Sequence, residues 1–226
     1  MIPTSFRELS APDDWAVEAR SYDARWVLPG TENPNLVKRN VSPSSADSVD
    51  GCTVGEVVEL GERMALDGVG DVTALGNAVH CIIAAEINSP DDEKASRATR
   101  VLTDWGFADA VDSKAVLQAA RSFIKWATEK FEPVAWHVEY PMTHVLETGQ
   151  VAHGFIDLLL DTKDGWVVID HKATPRPRSE WQSIAEGYSG QLAMYQSAVE
   201  TITDRPVIGT WIHLPVGGGM VPVTLP

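Results

Sequence analysis

The amino-acid sequence predicts an α/β fold in which helices flank a central mixed β-sheet, preceded by an irregular N-terminal arm. Two apolar runs, 154–160 and 166–172, flank a short polar turn with an Asp-Gly pair, which is a strong signal for a β-hairpin. Apolar residues repeat with helical spacing before this hairpin, and a helix and further strands follow it. This order is typical of an α/β or α+β layer arrangement, of which we take the α/β form.

The first part of the chain has the composition of loops. Pro-Gly and Asn-Pro pairs mark turns within it, although residues 13–20 could form a short helix. We therefore expect residues 1–74 to be an N-terminal arm and linker region, in which residues 55–60 form a strand or a short helix. Residues 75–226 then hold the main domain.

Helices and strands follow in order within the main domain. Apolar residues at helical spacing predict three helices, at about 75–86, 91–105 and 113–131. Strands are expected from Ala135 onward and through the hairpin. The last predicted elements are a helix over Ser189–Thr203, a strand over 206–214, a Gly-rich turn and an edge strand ending at Leu225.

Composition limits the location and the partners. No apolar run approaches the roughly 20 residues that cross a membrane. Two cysteines form neither a disulfide framework nor a four-cysteine metal or iron–sulfur site, so we expect a cytoplasmic, reducing location. The net charge of -14 repels nucleic acid and membranes. If the chain acts on DNA, it needs metal ions, a local basic strip, or a partner that delivers the strand.

Charged residues interrupt the apolar hairpin at a few positions. Asp157 lies within a run of Ile and Leu, whereas Asp170 and Lys172 end the second strand and share one face. The Asp-x-Lys triplet alone fits a surface ion pair best. However, a buried carboxylate is costly unless it is paired or holds a metal, and carboxylate oxygens are natural Mg²⁺ ligands. The position of Asp157 therefore favours a metal site with an adjacent cation.

Histidine and glutamine side chains on two predicted helices have two interpretations each. His80 lies on an apolar helix, where a lone histidine is more often a core or boundary residue than a ligand. Gln191 and Tyr195 share a helix face with Tyr188. Taken alone, this face is better explained by packing of an amphipathic helix on the sheet than by a polar rim beside a phosphate.

Three further residues have a possible role in the site or in DNA binding. Glu139 could be an accessory carboxylate near the metal or a solvated strand end, with neither favoured. Arg176 and Arg178 follow Lys172 in a short cationic loop and could contact a DNA backbone, although a solvated loop is the slightly better interpretation.

Four short motifs in a fixed order carry a family resemblance. They are Gly-x-x-x-His at Gly76–His80, Gly-x-x-Asp at Gly154–Asp157, Asp-x-Lys at Asp170–Lys172 and Gln-x-x-x-Tyr at Gln191–Tyr195. Each is weak alone, but together they resemble the RecB-like nucleases of the PD-(D/E)XK superfamily. The likeness is greatest to the C-terminal nuclease domain of AddA and RecB helicase–nucleases, whose helicase parts are of the UvrD type. The Val41–Ser44 segment resembles the stretch leading into that domain, while the chain has no nucleotide-binding phosphate loop.

The resemblance implies a restriction-endonuclease-like core and metal-dependent cleavage of DNA, as an exonuclease in double-strand break repair or recombination. It makes His80, Asp157 and Asp170 ligands of Mg²⁺ or Mn²⁺, with the backbone carbonyl of His171, and it makes Lys172 catalytic. Gln191 and Tyr195 would support the site and the DNA strand. The implied partners are single-stranded or duplex DNA ends and a UvrD-type helicase, with no membrane and no iron–sulfur cluster. The alternative is a non-catalytic docking module of a DNA-repair complex.

Overall fold

A mixed sheet of eight strands forms the centre of the structure, a computed structural model that describes residues 39–88 and 94–226. The strands are β1 (Asn40–Val41), β2 (Thr53–Val54), β3 (Val58–Glu59), β4 (Ala135–Val145), β5 (Val151–Asp161), β6 (Trp166–His171), β7 (Val207–Leu214) and β8 (Gly219–Thr224). The α-helices in these residues are α1 (Val72–Asn88), α2 (Lys94–Asp104), α3 (Ser113–Phe131), α4 (Trp181–Gly187) and α5 (Ser189–Thr203). The helix predicted at 13–20 lies outside the described residues.

The sheet mixes parallel and antiparallel pairs, which confirms the predicted fold class. Its strand order is β1-β5-β6-β7-β8-β2, and β4 pairs with β5 while β3 pairs with β8. The β6–β7 and β1–β5 pairs are parallel, and the other pairs are antiparallel. None of the described helices is long and apolar enough to cross a membrane.

Local sequence signals explain where the long helices begin and end. The Asp71 carboxylate accepts the backbone N–H of Ala74 at 2.9 Å, and α1 begins directly after it. The Asp112 carboxylate caps α3 in the same way by accepting the N–H of Lys114 at 2.9 Å. Both α3 and α5 stop where a residue adopts a left-handed backbone, at Glu132 and Asp204.

Apolar side chains fill two cores, one on each face of the sheet. The first core lies under α1, α2 and α3, and the second lies under α4 and α5. Strand alternation supplies both cores from the same strand: Leu158 and Leu160 enter the first, and Leu159 enters the second. The result is a three-layer arrangement, helices on both faces of one sheet.

The side of the β4–β5 hairpin that faces each core changes once. Leu158 and Leu160 belong to the first core, but Ile156, at the same strand parity, belongs to the second. The change falls at Asp157, which lies opposite Glu139 between the paired neighbours on both sides. These two acids therefore sit where the hairpin turns from one core to the other, and neither is enclosed by apolar side chains on both faces.

Residues 40–59, which the sequence predicts to be part of an arm and linker region, contribute β1, β2 and β3 to the sheet. A 3-10 turn at Pro43–Ser45 packs beside α5 and β5. A Cβ at Gly154 would lie 3.1 Å from Pro43 Cδ, so the glycine of the Gly-x-x-Asp motif admits this close approach. The sequence did not predict β1, β2 or α4.

Candidate metal centre and active site

The ends of β5 and β6 bring the two aspartates of the hairpin together. The antiparallel ladder runs to the Leu158–Ile169 pair, so Asp157 and Asp170 follow it on adjacent strands. The backbone N–H of His171 donates to Asp157 Oδ2 at 2.7 Å. Asp170 is fully buried, whereas Asp157 keeps partial exposure.

Asp170 is held by a lysine and a glutamine. Lys172 Nζ lies 2.8 Å from Asp170 Oδ2, which confirms that the two side chains share a face. Gln191 Nε2 donates to Asp170 Oδ1 at 2.9 Å. The Lys172 ammonium also lies 4.4 Å from the centre of the Tyr188 ring. Burial would lower the pKa of Lys172, but the ion pair with Asp170 raises it above its ordinary value, so the lysine stays charged.

A hydrogen-bonded chain links α5 to both strands. The Gln191 amide also donates to the Tyr195 hydroxyl at 2.8 Å, and that hydroxyl donates to the backbone carbonyl of Phe155 at 2.7 Å. Burial raises the pKa of the Tyr195 phenol well above its usual range, so it remains a donor. The Gln-x-x-x-Tyr pair thus fixes the position of Asp170 relative to β5.

His80 approaches the aspartates from α1. Its Nε2 lies 3.0 Å from the His171 carbonyl oxygen, and its Nδ1 lies 3.8 Å from Asp157 Oδ2. Burial lowers the pKa of His80. The ring is therefore neutral near pH 7, which is the state that a metal-ligating imidazole requires.

Glu139 joins His80 and Asp157 in a group that could hold a metal ion. One ligand atom from each residue lies within 4.8 Å of the other two. Glu139 has a φ of 49°, a left-handed conformation that is uncommon for a residue with a side chain. Such strain clusters at functional sites. Asp170 is not part of this group; its carboxylate instead contacts Lys172 and Gln191.

The chemistry of these side chains fits a hard divalent cation. Carboxylate and carbonyl oxygens suit Mg²⁺, and an imidazole in the set also admits Mn²⁺. The 3.0 Å between His80 Nε2 and the His171 carbonyl oxygen matches the separation of about 3 Å expected for adjacent ligands at 2.0–2.1 Å from an octahedral ion. Asp170 Oδ2 is buried and, apart from its ion pair, has no hydrogen bond of good geometry among the described residues.

The two carboxyl groups hold their protons to unusually high pH. Burial raises the pKa of Asp157 to about 6, opposed by the hydrogen bond from His171. Burial and the neighbouring charge of Asp157 raise the pKa of Asp170 to about 7. Ionising both groups in one buried place is costly, and a bound cation would offset that cost.

Comparison with known proteins agrees with this geometry. The family profile of the PD-(D/E)XK nuclease superfamily matches residues 40–223. The chain belongs to the PD-(D/E)XK nuclease superfamily. The predicted resemblance is therefore confirmed, and the match spans the sheet and the whole candidate site.

Curated relatives of this PD-(D/E)XK nuclease are named as AddA-type subunits of an ATP-dependent helicase/nuclease. The protein from Pelotomaculum thermopropionicum is 28% identical over 162 residues, 71% of this chain but 12% of its own length. That from Alkaliphilus metalliredigens is 22% identical over 182 residues, 80% of this chain and 15% of its own length. That from Anoxybacillus flavithermus is 33% identical over 92 residues, 38% of this chain and 7% of its own length. The chain thus spans a small part of the relatives that it matches.

The two arginines of the predicted DNA-binding loop lie apart from the metal-binding group in this PD-(D/E)XK nuclease. Arg176 Nη1 pairs with Glu180 Oε2 at 3.2 Å, and Arg178 pairs with Glu59. Both side chains are exposed, so the pairs are weak and open to competition by a phosphate. Their role in DNA binding stays a prediction.

A buried histidine pair lies behind the site of the PD-(D/E)XK nuclease and was not predicted. His171 Nδ1 and His213 Nδ1 are 3.0 Å apart, so one ring donates to the other. The His213 ring also stacks on Phe123, with ring centres 4.2 Å apart. Burial lowers the pKa of His213 to about 3 and that of His171 well below its usual range. The His171 side chain thus belongs to the core, while its backbone carbonyl faces His80.

Proposed function

We propose that the chain is a Mg²⁺- or Mn²⁺-dependent deoxyribonuclease that hydrolyses phosphodiester bonds from DNA ends, as an exonuclease. One observation carries the proposal: ligand atoms of His80, Glu139 and Asp157 converge within 4.8 Å beside the buried Asp170–Lys172 ion pair. A divalent-ion group next to a fixed ammonium supplies the charges that phosphoryl transfer needs.

Each side chain has a separate proposed task. His80, Asp157 and Asp170, with the His171 carbonyl, hold the ion, and Glu139 adds a carboxylate from the facing strand. A bound divalent ion supplies Lewis acidity toward a phosphate oxygen and lowers the pKa of water. The Lys172 ammonium stabilises the negative charge that develops on the phosphate. Gln191 and Tyr195 hold the acids in register.

We propose further that the chain acts in the cytoplasm as the nuclease part of a UvrD-type helicase–nuclease in double-strand break repair or recombination. The relatives carry helicase and nuclease together in their name. The net charge of -14 opposes unaided capture of DNA, whereas a helicase would deliver the strand. Weak, salt-sensitive cleavage by the isolated chain is the expected behaviour.

Replacement of Asp157 by asparagine tests the metal-dependent nuclease directly. We expect cleavage of end-labelled single-stranded and duplex DNA in Mg²⁺ or Mn²⁺ at low salt to fall at least about 100-fold, because the variant loses an ionised ligand. The matched control is Asp164→Asn, in the exposed turn of the same hairpin. If the wild-type chain leaves both DNAs intact, or if Asp157→Asn cleaves as well as the control, the proposal is wrong and a docking module is favoured.

The stabilising effect of the metal should grow with pH. The pKa values of Asp157 and Asp170 are raised to about 6 and about 7. Each carboxyl therefore contributes stability below the pKa of the unfolded chain, and this contribution is lost as pH rises through the folded-state pKa. A cation binds the ionised form. Addition of Mn²⁺ should raise the melting temperature more at about pH 8 than at about pH 5.

Scanning calorimetry with and without Mn²⁺ measures this difference, and Asp157→Asn serves as the comparison because it removes one of the titrating ligands. A melting-temperature shift of equal size at both pH values would contradict metal binding by these carboxylates.

A further inference from the structure

An aromatic side chain next to the candidate metal centre is exposed to solvent. Phe155 is 59% exposed, although Ile156 and Leu158–Leu160 on the same strand are buried. Burying a phenylalanine stabilises a protein by about 1.5–3 kcal/mol, so this position forgoes a gain that the fold obtains from its neighbours. A single exposed apolar residue is ordinary, so its surroundings decide what it means.

Phe155 is part of a continuous exposed surface, which we name the Phe155 shelf. Pro141 lies opposite Phe155 in the β4–β5 pairing, and Thr143 lies opposite His153. Thr143 Oγ1 and His153 Nδ1 are hydrogen-bonded at 3.1 Å, and all four residues are exposed. The shelf contains no carboxylate, although the chain as a whole carries a net charge of -14. It is a place where a polyanion meets little repulsion.

The shelf lies on the same side of the sheet as the metal-binding group. Ile156 and Ala152 pack into the second core, so Phe155 between them faces the opposite side, from which His80 approaches Asp157. Phe155 is two residues before Asp157, which places it about 7 Å away along the strand. A nucleotide whose phosphate lies at the metal-binding group has its base within reach of this ring.

The backbone of Phe155 is held in place relative to the acids. Its carbonyl accepts the hydrogen bond from Tyr195, and Tyr195 is joined through Gln191 to Asp170. A ring mounted on this chain keeps a fixed distance from the site, as a positioning surface requires.

We propose that the Phe155 shelf is a stacking platform for an unpaired base of the DNA strand under cleavage, an inference that rests on the proposed nuclease function. Base–aromatic stacking needs no positive charge and tolerates any base. It therefore suits an acidic chain better than phosphate contacts, which weaken steeply with salt. Because a base must leave its duplex partner to stack on the ring, the platform selects single-stranded over paired ends.

The test is binding of fluorescein-labelled oligo(dT), and of an abasic deoxyribose-phosphate oligomer of the same length, to the full chain in EDTA. We expect Phe155→Ala to weaken binding of oligo(dT) by about 5- to 100-fold and to leave binding of the abasic oligomer unchanged. Phe155→Tyr should restore binding. Val145→Ala, 64% exposed at the far end of the same hairpin before substitution, is the control and should bind as the wild type does.

Two results would overturn the platform: unchanged oligo(dT) binding by Phe155→Ala, which would leave the shelf as a surface for a partner protein, or equal weakening for both oligomers. Failure of the nuclease proposal gives a different result. If wild-type protein shows base-dependent binding but no cleavage in Mg²⁺ or Mn²⁺, the platform stands and the nuclease proposal falls. Cleavage by the wild type with unchanged binding by Phe155→Ala gives the reverse.

Discussion

Replacing Lys172 by methionine should lower the rate of DNA cleavage by about 100- to 1000-fold, the loss typical of removing one group that stabilises transition-state charge. The substitution keeps the length of the side chain and removes its ammonium, which lies 2.8 Å from Asp170 Oδ2. Asp170 then loses the cation that lowers its pKa, which burial already raises to about 7. The carboxyl takes up a proton near neutral pH, so the fold survives while the charge at the site changes.

Single-turnover cleavage of end-labelled DNA measures this loss, and the melting temperature shows whether the variant is folded. Lys163→Met, in the exposed turn of the same hairpin, removes an equal charge from the chain away from the site. Lys172→Arg should not restore the rate, because a planar guanidinium cannot replace a compact ammonium. Wild-type rates in a folded Lys172→Met variant would exclude a catalytic lysine and favour a docking module.

Local patterns predicted the hairpin and α5 because both are encoded by short-range chemistry. The Asp-Gly turn and the flanking apolar runs define β5 and β6, and the predicted helix over Ser189–Thr203 has the same bounds in the structure. The period of two along a strand was also enough to place Asp170 and Lys172 on one face. These features depend on residues within a few positions of each other.

Glu139 illustrates what the sequence does not reveal. Its position opposite Asp157 depends on the register of the long β4–β5 pairing, which is fixed by all the side chains of both strands. Its left-handed backbone, with a φ of 49°, has no signature in a glutamate. The sequence therefore left Glu139 open between a ligand and a solvated strand end, and only the folded hairpin brings it to His80 and Asp157.

Contacts between distant segments were also beyond the sequence. His213 meets His171 because β6 and β7 run parallel with these residues in register, a pairing that joins positions 42 residues apart. The approach of residues 40–49 to α5 is of the same kind, since Val49 N–H donates to Ser189 Oγ at 2.9 Å across 140 residues. A strand of two residues, such as β1, is too short to show periodicity.

Replacing Gly190 by alanine should destabilise the fold and weaken the site beside it. A Cβ at this position would lie 1.9 Å from the backbone carbonyl oxygen of Asp47, so either α5 or the 40–49 segment must move. Overpacking of this kind costs about 1–3 kcal/mol or more. In a chain of this size, that lowers the melting temperature by roughly 2–4 °C for each kcal/mol. Gln191 is the next residue, so we also expect cleavage to fall.

The sign of the effect makes this a sharp test, because helix propensity alone predicts the opposite. In an exposed helix, alanine is more favourable than glycine by about 1 kcal/mol. Gly187→Ala, at the end of α4, is the matched control, since no heavy atom lies within 4 Å of its added Cβ. That variant should be neutral or slightly stabilised. If Gly190→Ala melts at or above the temperature of the control, residues 40–49 do not pack on α5 in solution, and the nuclease fold does not depend on them.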